Sequence, residues 1–259
     1  MTIRSFGKNI LFFLLYTLFP RLKNKASILM YHSVGRSDHF FTVTPENFEQ
    51  QIKYLVQGGF EIIPLGVLVQ RMSSGEPIGG AVAITFDDGY KDNYEIVFPI
   101  IKKYAVPITI FLATDMLGGE MRLKSQAPIP MMGEPQVREM QRSSLVSFSP
   151  HSKTHRSFGT LSLSEIQNEI DGSRTALSLL TGTVPTLFSF PRGHYTSEAL
   201  SYLRDSGWDG AVTVREGLVS RKDNQFLLKR NSIDSTTTFI QFKAKVSEAI
   251  EWYGKLKRP

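Results

Sequence analysis

A chain of 259 residues, 41% apolar and 21% charged, is long enough for one large α/β domain with a substantial core and needs no second domain. Its formal charge of +6 suits an anionic surface such as a membrane or a glycan, but the basic residues gather on no nucleic-acid motif, so nucleic acid is not an expected partner. The absence of cysteine excludes disulfides and thiolate chemistry and leaves the compartment open.

Residues 10–19 (Ile-Leu-Phe-Phe-Leu-Leu-Tyr-Thr-Leu-Phe) are apolar all round, with Lys8 before them and Pro20 and Arg21 after. A helix of that kind is not an ordinary surface helix. It is short for a span, which takes about 20 apolar residues. As a signal sequence it has a positive start in Arg4 and Lys8, but residues 23–27 offer no small-x-small cleavage site. A helix lying in the membrane interface, with Arg21, Lys23 and Lys25 near lipid phosphates, fits best, and a signal sequence or a buried helix is the alternative. Residues 1–25 are thus read as a membrane-associating segment of a cell-envelope protein, its membrane side open, and residues 26–259 as one domain.

Past that segment, residues 27–31 read as a buried strand that delivers His32. Thr44 and Pro45 open a helix with Phe48, Ile52 and Leu55 on one face, stopped by Gly58 and Gly59. An extended piece at 60–63 and a helix at 65–72 precede the apolar run 81–86, which ends at Asp87, Asp88 and Gly89. A helix over 93–104 and a strand over 107–113 follow. Residues 115–134 show no period and read as a long loop, with Met116, Met121, Met131 and Met132 filling gaps or lining an apolar face. Then come a helix at 135–142, a strand at 144–149 ending before His151, and a helix at 162–180 opened by a capping box of Ser162 and Glu165. Strand, helix and strand recur at 184–190, 196–206 and 209–214, followed by a strand at 226–229 and a helix at 239–252.

Strands alternating with helices imply parallel pairing in a barrel or an open doubly wound sheet, with the active site at the strands' carboxyl ends. Those ends carry His32, Asp87 with Asp88, His151 with His155, and the turn 191–194 with His194. His39 lies in a polar loop and is expected to be solvated. Two adjacent carboxylates at the end of a buried strand repel unless a cation, a shared proton or solvent intervenes. Two imidazoles four residues apart can reach one ion, and with a carboxylate they form a three-ligand set that leaves a position open for water.

With those residues in view, the chain resembles the polysaccharide deacetylases with a NodB-type domain, carbohydrate esterase family 4, over about residues 28–231. The signals are Thr85-Phe86-Asp87-Asp88-Gly89-Tyr90, His151-x-x-x-His155 and Phe190-Pro191-x-Gly193, in order and at strand ends. The resemblance implies a distorted (β/α) barrel and an enzyme that removes N-acetyl groups from a surface or lipid-linked polysaccharide. It implies Asp88, His151 and His155 as ligands of a divalent ion, usually zinc, with Asp87 as general base and the amide near Tyr90 as oxyanion donor. The family's late histidine is missing, since none follows His194. His32, in Met30-Tyr31-His32, is similar to an amino-terminal element of the branch acting on poly-β-1,6-N-acetylglucosamine, and is the expected acid, with His194 the alternative. The arginine of the third motif would fall at Ser189, with Arg192 nearby; Arg230, in Leu227-Leu228-Lys229-Arg230-Asn231, resembles a late arginine with which the same branch orients its catalytic carboxylate, so the resemblance implies Arg230 as the partner of Asp87. Trp208 matches a core aromatic. Other readings are an O-deacetylase or another amidohydrolase on the same site, or a catalytically weak glycan-binding protein. Oligomeric state is not readable.

Overall fold

The computed structural model describes residues 3–122 and 127–256. Helix α1 (Ile3–Leu18) leads into strand β1 (Ser27–Tyr31), the short pair β2 (Ser33–Val34) and β3 (Thr42–Val43), and helix α2 (Pro45–Gln57). Next come β4 (Glu61–Ile62), α3 (Leu65–Ser74), β5 (Ala81–Phe86), α4 (Phe98–Tyr104), β6 (Ile108–Leu112), β7 (Glu120–Met121) and β8 (Ile129–Pro130). The second half runs α5 (Glu134–Gln141), β9 (Val146–Pro150), α6 (Leu163–Thr181), β10 (Leu187–Ser189), α7 (Ser197–Asp205), β11 (Gly210–Val212), β12 (Asn231–Ser232), α8 (Phe239–Lys245) and α9 (Ala249–Leu256).

The main sheet is parallel in the order β12, β1, β5, β6, β9. The edge of β5 away from β1 is shared, with β4 on Ala81 and Val82 and β6 on Thr85 and Phe86. The chain before β12 continues the ring, since Leu228 bridges Val212 of β11, which pairs with β10. No ladder joins β10 to β9 among the described residues, and the imidazole of His151, 2.8 Å from Ser189 O, spans that seam. The result is a distorted (β/α) barrel, one of the two arrangements that the alternation of elements allows and the one that the resemblance implies.

Side chains alternate across each strand and therefore divide between two layers. Leu29, Tyr31, Val82, Ile84, Phe86, Ile110 and Leu112 belong to the large core that takes in α2 and α8. Ile28, Ala83, Phe111, Leu187, Val212 and Leu228 form a second core with Leu65 and Leu68 of α3. His32 and Asp87 continue the parity of Ile28 and Ala83, so the period that buries the inner core also carries these polar groups to its rim.

The caps expected at Thr44 and Ser162 are present: Thr44 Oγ1 accepts from Asn47 N–H, and Ser162 and Glu165 form the reciprocal box. Three readings need correction. The stretch 226–229 is a 3₁₀ turn at Gln225–Leu227, because the Asn224 side chain accepts the Phe226 N–H at 2.9 Å, and the strand comes later, at β12. The helix expected over 239–252 is two helices, since the buried Ser247 hydroxyl donates to Ala244 O and accepts from Ala249 N–H, ending one and starting the other. The long loop contains the antiparallel pair β7 and β8, and its residues 123–126 lie outside the described residues.

Helix α1 packs along α8 and α9. Phe12 and Leu15 are buried, the Phe12 ring lies 4.2 Å from that of Tyr253, and Phe19 stacks on Trp252 at 4.9 Å. Asn9 Oδ1 accepts from Thr238 Oγ1 at 3.0 Å and Gln241 Nε2 at 2.7 Å. Its outer face keeps Ile10, Phe13, Leu14 and Leu18 exposed, which explains why the segment is apolar on every side. If α1 is integral to the domain, Phe12→Ala destabilises the protein by about 3–5 kcal/mol through the cavity it leaves. Phe13→Ala stays within about 0.5 kcal/mol. Urea unfolding of the two variants checks this, and equal effects would contradict the packing.

Candidate metal centre and active site

Asp87 follows β5 and keeps its alignment, its N–H donating to Tyr31 O at 2.9 Å. Asp88 then turns into the left-handed region (φ 72°), followed by Gly89 at φ 86°. A Cβ on Gly89 would come within 2.3 Å of Leu112 Cδ2, so glycine is required both for the turn and for the close approach. This reversal points the two adjacent carboxylates at different partners.

Asp87, 1% exposed, faces Arg230, 0% exposed. The two form a bidentate pair, with Nη1 to Oδ1 and Nη2 to Oδ2 both 2.6 Å. The remaining guanidinium donors go to Thr213 O (2.9 Å), Thr85 Oγ1 (3.2 Å) and Ser189 Oγ (3.1 Å), so five N–H groups meet five acceptors. The Phe111 ring lies beneath, 5.6 Å from the guanidinium carbon. Burial by itself raises the Asp87 pKa, but the Arg230 charge and its hydrogen bonds outweigh burial and hold the carboxyl below its usual range. Ser189 stands at the position where the resemblance places an arginine; its hydroxyl touches both Arg230 and Asp87, and the charge comes from Arg230 instead.

Asp88 faces the paired histidines. Its Oδ1 is buried and accepts no hydrogen bond among the described residues, yet it lies 3.2 Å from His155 Nε2 and 3.6 Å from His151 Nε2. Donor atoms of the three residues all fall within 4.8 Å of one another. The Nδ1 of His151 donates to Ser189 O, which leaves its Nε2 with the lone pair. Burial is the largest influence on His151 and lowers its pKa to about 4, keeping the ring neutral. Burial also disfavours charge on His155, but Asp88 prevails and raises it. Burial raises Asp88, and His155, His32 and His151 together pull it well below the carboxylate range.

A buried carboxylate oxygen facing two imidazole nitrogens is a donor set that can hold a cation. Metal bonds of about 2.0–2.2 Å in tetrahedral array separate neighbouring donors by about 3.4 Å, which matches the observed 3.2 and 3.6 Å. Asp88, His151 and His155 therefore fit a divalent ion. Both Asp88 and His155 (φ 59°) hold left-handed backbone, a conformation that persists where the surroundings enforce it.

His32 follows β1, whose last residue Tyr31 pairs with Phe86 just before Asp87, so it stands beside this centre. Its Nδ1 is buried without a partner, its ring lies 5.6 Å from that of Phe41, and its carbonyl accepts from Asn93 Nδ2 at 2.9 Å. Asp92, next to Asn93, takes the Ser33 hydroxyl at 2.6 Å and is raised by burial to about 6. His194 is exposed, with Nδ1 2.8 Å from Ser157 Oγ, and is not among the gathered ligands. His39 departs from expectation: it is 4% exposed, 3.1 Å from Ala127 O, and stacked on Phe41, which in turn stacks on Tyr90. Aromatic stacking accounts for its burial in place of solvation. Trp208 is 4% exposed and packs against Phe188 under Arg174, as a core aromatic.

The sequence reading missed Asp92 and Asn93, and Glu169, whose carboxylate reaches the loop between His151 and His155. Glu169 carried a signal: it falls in the buried stripe of α6 with Ile166, Ile170, Ser173 and Leu177, where a carboxylate needs a partner.

A family model for the polysaccharide deacetylases matches residues 74–211, more than half of the chain. The chain belongs to the polysaccharide deacetylase family. It is 30% identical over 207 residues to the Bacillus subtilis protein YxkH, named as a polysaccharide deacetylase, covering 80% of this chain and 70% of that one. A Staphylococcus aureus poly-β-1,6-N-acetyl-D-glucosamine N-deacetylase is 24% identical over 231 residues, 80% of this chain and 78% of its own. Among solved structures, the Streptococcus pyogenes deacetylase PplD superposes with a TM-score of 0.75 at 23% identity, over 86% of this chain and 98% of its own. IcaB from Ammonifex degensii gives 0.74 at 21%, over 86% and 97%. As a polysaccharide deacetylase the chain is a hydrolase, and the barrel is that of the family's NodB domain.

Since Arg230 is, among the described residues, the cationic side chain in hydrogen-bonding contact with Asp87, Arg230→Met strands a buried carboxylate and costs about 3–5 kcal/mol. Arg230→Met with Asp87→Asn removes the stranded charge and recovers part of that loss. Urea denaturation at pH 7 reads both, and a double variant less stable than Arg230→Met would contradict the pairing.

Proposed function

We propose that this deacetylase is metal-dependent and removes N-acetyl groups from the sugars of a surface or lipid-linked polysaccharide. The observation that carries the reading is the arrangement of the two aspartates: Asp87 is held ionised by Arg230, while Asp88 completes a ligand set with His151 and His155. The printed activity of the Staphylococcus aureus relative supports an N-acetylated substrate.

A divalent ion, with zinc the choice for an imidazole and carboxylate set, would be held by Asp88, His151 and His155, where it lowers the pKa of water to about 7 and polarises a carbonyl. The chain's own residues supply the rest. Asp87 Oδ2 lies 3.9 Å from His151 Nε2, beside the ligand set, where it accepts the proton of the attacking water. Arg230 keeps that carboxylate deprotonated and fixes its direction through two parallel bonds. The backbone N–H at Tyr90 serves the developing oxyanion. His32 protonates the departing amine, with its unpartnered Nδ1 buried at the rim. His194 is the second candidate for that acid, from its exposed place beside Ser157.

Residues 5–25 place the enzyme on a membrane. The outer stripe of α1, with Ile10, Phe13, Leu14 and Leu18 exposed by 45, 59, 53 and 69%, lies at the headgroup boundary, and Arg21 and Lys23 meet lipid phosphates. No described helix is long and apolar enough to cross a bilayer. Such placement suits a glycan made or exported at the membrane, in the cell envelope.

The chemistry is tested by acetate release from β-1,6-linked and chitin-like N-acetylglucosamine oligomers and from O-acetylated glycans, together with metal analysis. Zinc is expected near one per chain, with release from N-acetylated oligomers, abolished by chelation. Asp87→Asn retains zinc and loses about 10²–10⁴-fold in rate. Release from O-acetyl esters alone would replace the reading with an O-deacetylase, and no release with tight oligomer binding would replace it with a glycan-binding protein. For the membrane, Phe13→Glu with Leu14→Glu is expected to abolish co-sedimentation with anionic vesicles and leave release from soluble oligomers unchanged; undiminished sedimentation would contradict it.

A further inference from the structure

The loop between the two ligating histidines has an unusual backbone. Ser152 (φ 64°) and His155 (φ 59°) both adopt the left-handed region, which non-glycine residues hold only where their surroundings enforce it. Something outside the loop has to hold it. Within it, Ser152 Oγ accepts the His155 N–H at 3.0 Å. On one side, Thr114 N–H donates to Ser152 O at 3.3 Å and Asp115 N–H to Lys153 O at 2.9 Å. On the other stands α6. Glu169 Oε2 accepts the successive N–H groups of Lys153 and Thr154 at 2.9 and 2.8 Å, and Oε1 accepts the Thr154 hydroxyl at 2.5 Å. Glu169 is 4% exposed. The loop lies so close to the helix that a Cβ on Gly172 would come within 3.2 Å of Lys153 Cδ.

We propose that Glu169 is a positioning residue for the metal centre: its carboxylate fixes the 152–155 loop in the left-handed conformation that brings His155 to the same point as His151 and Asp88. The inference rests on the reading of Asp88, His151 and His155 as metal ligands. His151 is fixed independently, by its N–H to Leu112 O at 2.7 Å and its Nδ1 to Ser189 O, so the burden of bringing the second imidazole into register falls on the loop. Glu169 touches neither the ligand atoms nor the place of the substrate. It acts through the loop backbone, as partners of metal ligands do when they fix ligand orientation. Without it two adjacent N–H groups lose their acceptor, and the strained turn has a relaxed alternative in which His155 swings away.

The test is zinc affinity by chelator competition on the full chain, with thermal unfolding of the metal-free protein beside it. Glu169→Ala is expected to weaken zinc binding by about 10–100-fold, the usual effect of losing a group that orients a ligand. Glu169→Asp, one methylene shorter, keeps the charge but withdraws it from the loop, and weakens binding likewise; it serves if the alanine variant does not fold. Glu169→Gln keeps a carbonyl oxygen for the two N–H groups and is expected to bind zinc close to the wild type. A lowered midpoint for the metal-free variants with unchanged zinc affinity would reduce Glu169 to a structural residue and overturn the inference. A glutamine variant as weak as the alanine one would also overturn it, by assigning the effect to charge. If the wild type binds no zinc, the ligand reading fails and this inference with it, whereas tight binding by wild type and all three variants removes the role of Glu169 alone.

Discussion

Two carboxylates in sequence at the end of a fully buried strand set the terms for the rest of this structure. Ionised neighbours in a low-dielectric site repel, and removal from water penalises each of them. The chain resolves this by giving each a separate counter-charge, and the left-handed turn at Asp88 makes that separation possible. Asp87 turns to a guanidinium whose five donors are all satisfied inside the barrel. Asp88 turns the other way, toward two imidazoles, with an oxygen that no hydrogen bond completes. A buried ion pair is weak evidence for stability in general. Here its consequence is chemical, since it sustains a deprotonated carboxylate beside a cation site.

The barrel's open seam is part of the same arrangement. Between β9 and β10 the described residues make no ladder, and the polar groups of the site take its place. The His151 imidazole bonds to Ser189 O, and the Ser189 hydroxyl bonds to Arg230, which also holds Asp87. The site is thereby tied into the frame on which it sits. Arg230 arrives just before β12, far along the chain from Asp87, so the carboxylate's geometry depends on the last strand closing against β1.

Much of this was legible in the sequence. Short apolar runs that end at polar or turn residues marked β1, β5 and β6, and the residues at strand ends named His32, Asp87, Asp88, His151 and His155, because a parallel barrel gathers what stands at its strands' carboxyl ends. What escaped notice depended on side-chain contacts that apolar spacing and local polarity do not reveal. Glu169 reads as one more glutamate on a long helix until the loop it serves is laid against it. The burial of His39 depends on stacking with Phe41, and local polarity pointed the other way. The break between α8 and α9 hangs on one serine hydroxyl, a competition between side chain and backbone that apolar spacing does not reveal.

The central claim is that Asp88, His151 and His155 converge on one ion while Asp87 stays free of it. X-ray absorption at the zinc edge of the metal-loaded protein tests it most directly. The account predicts a first shell of nitrogen and oxygen donors at about 2.0–2.2 Å with the outer-shell scattering of two imidazole rings. That signal should persist in Asp87→Asn and lose one ring in His155→Ala. A shell without imidazole scattering, or one unchanged by removing His155, would contradict it.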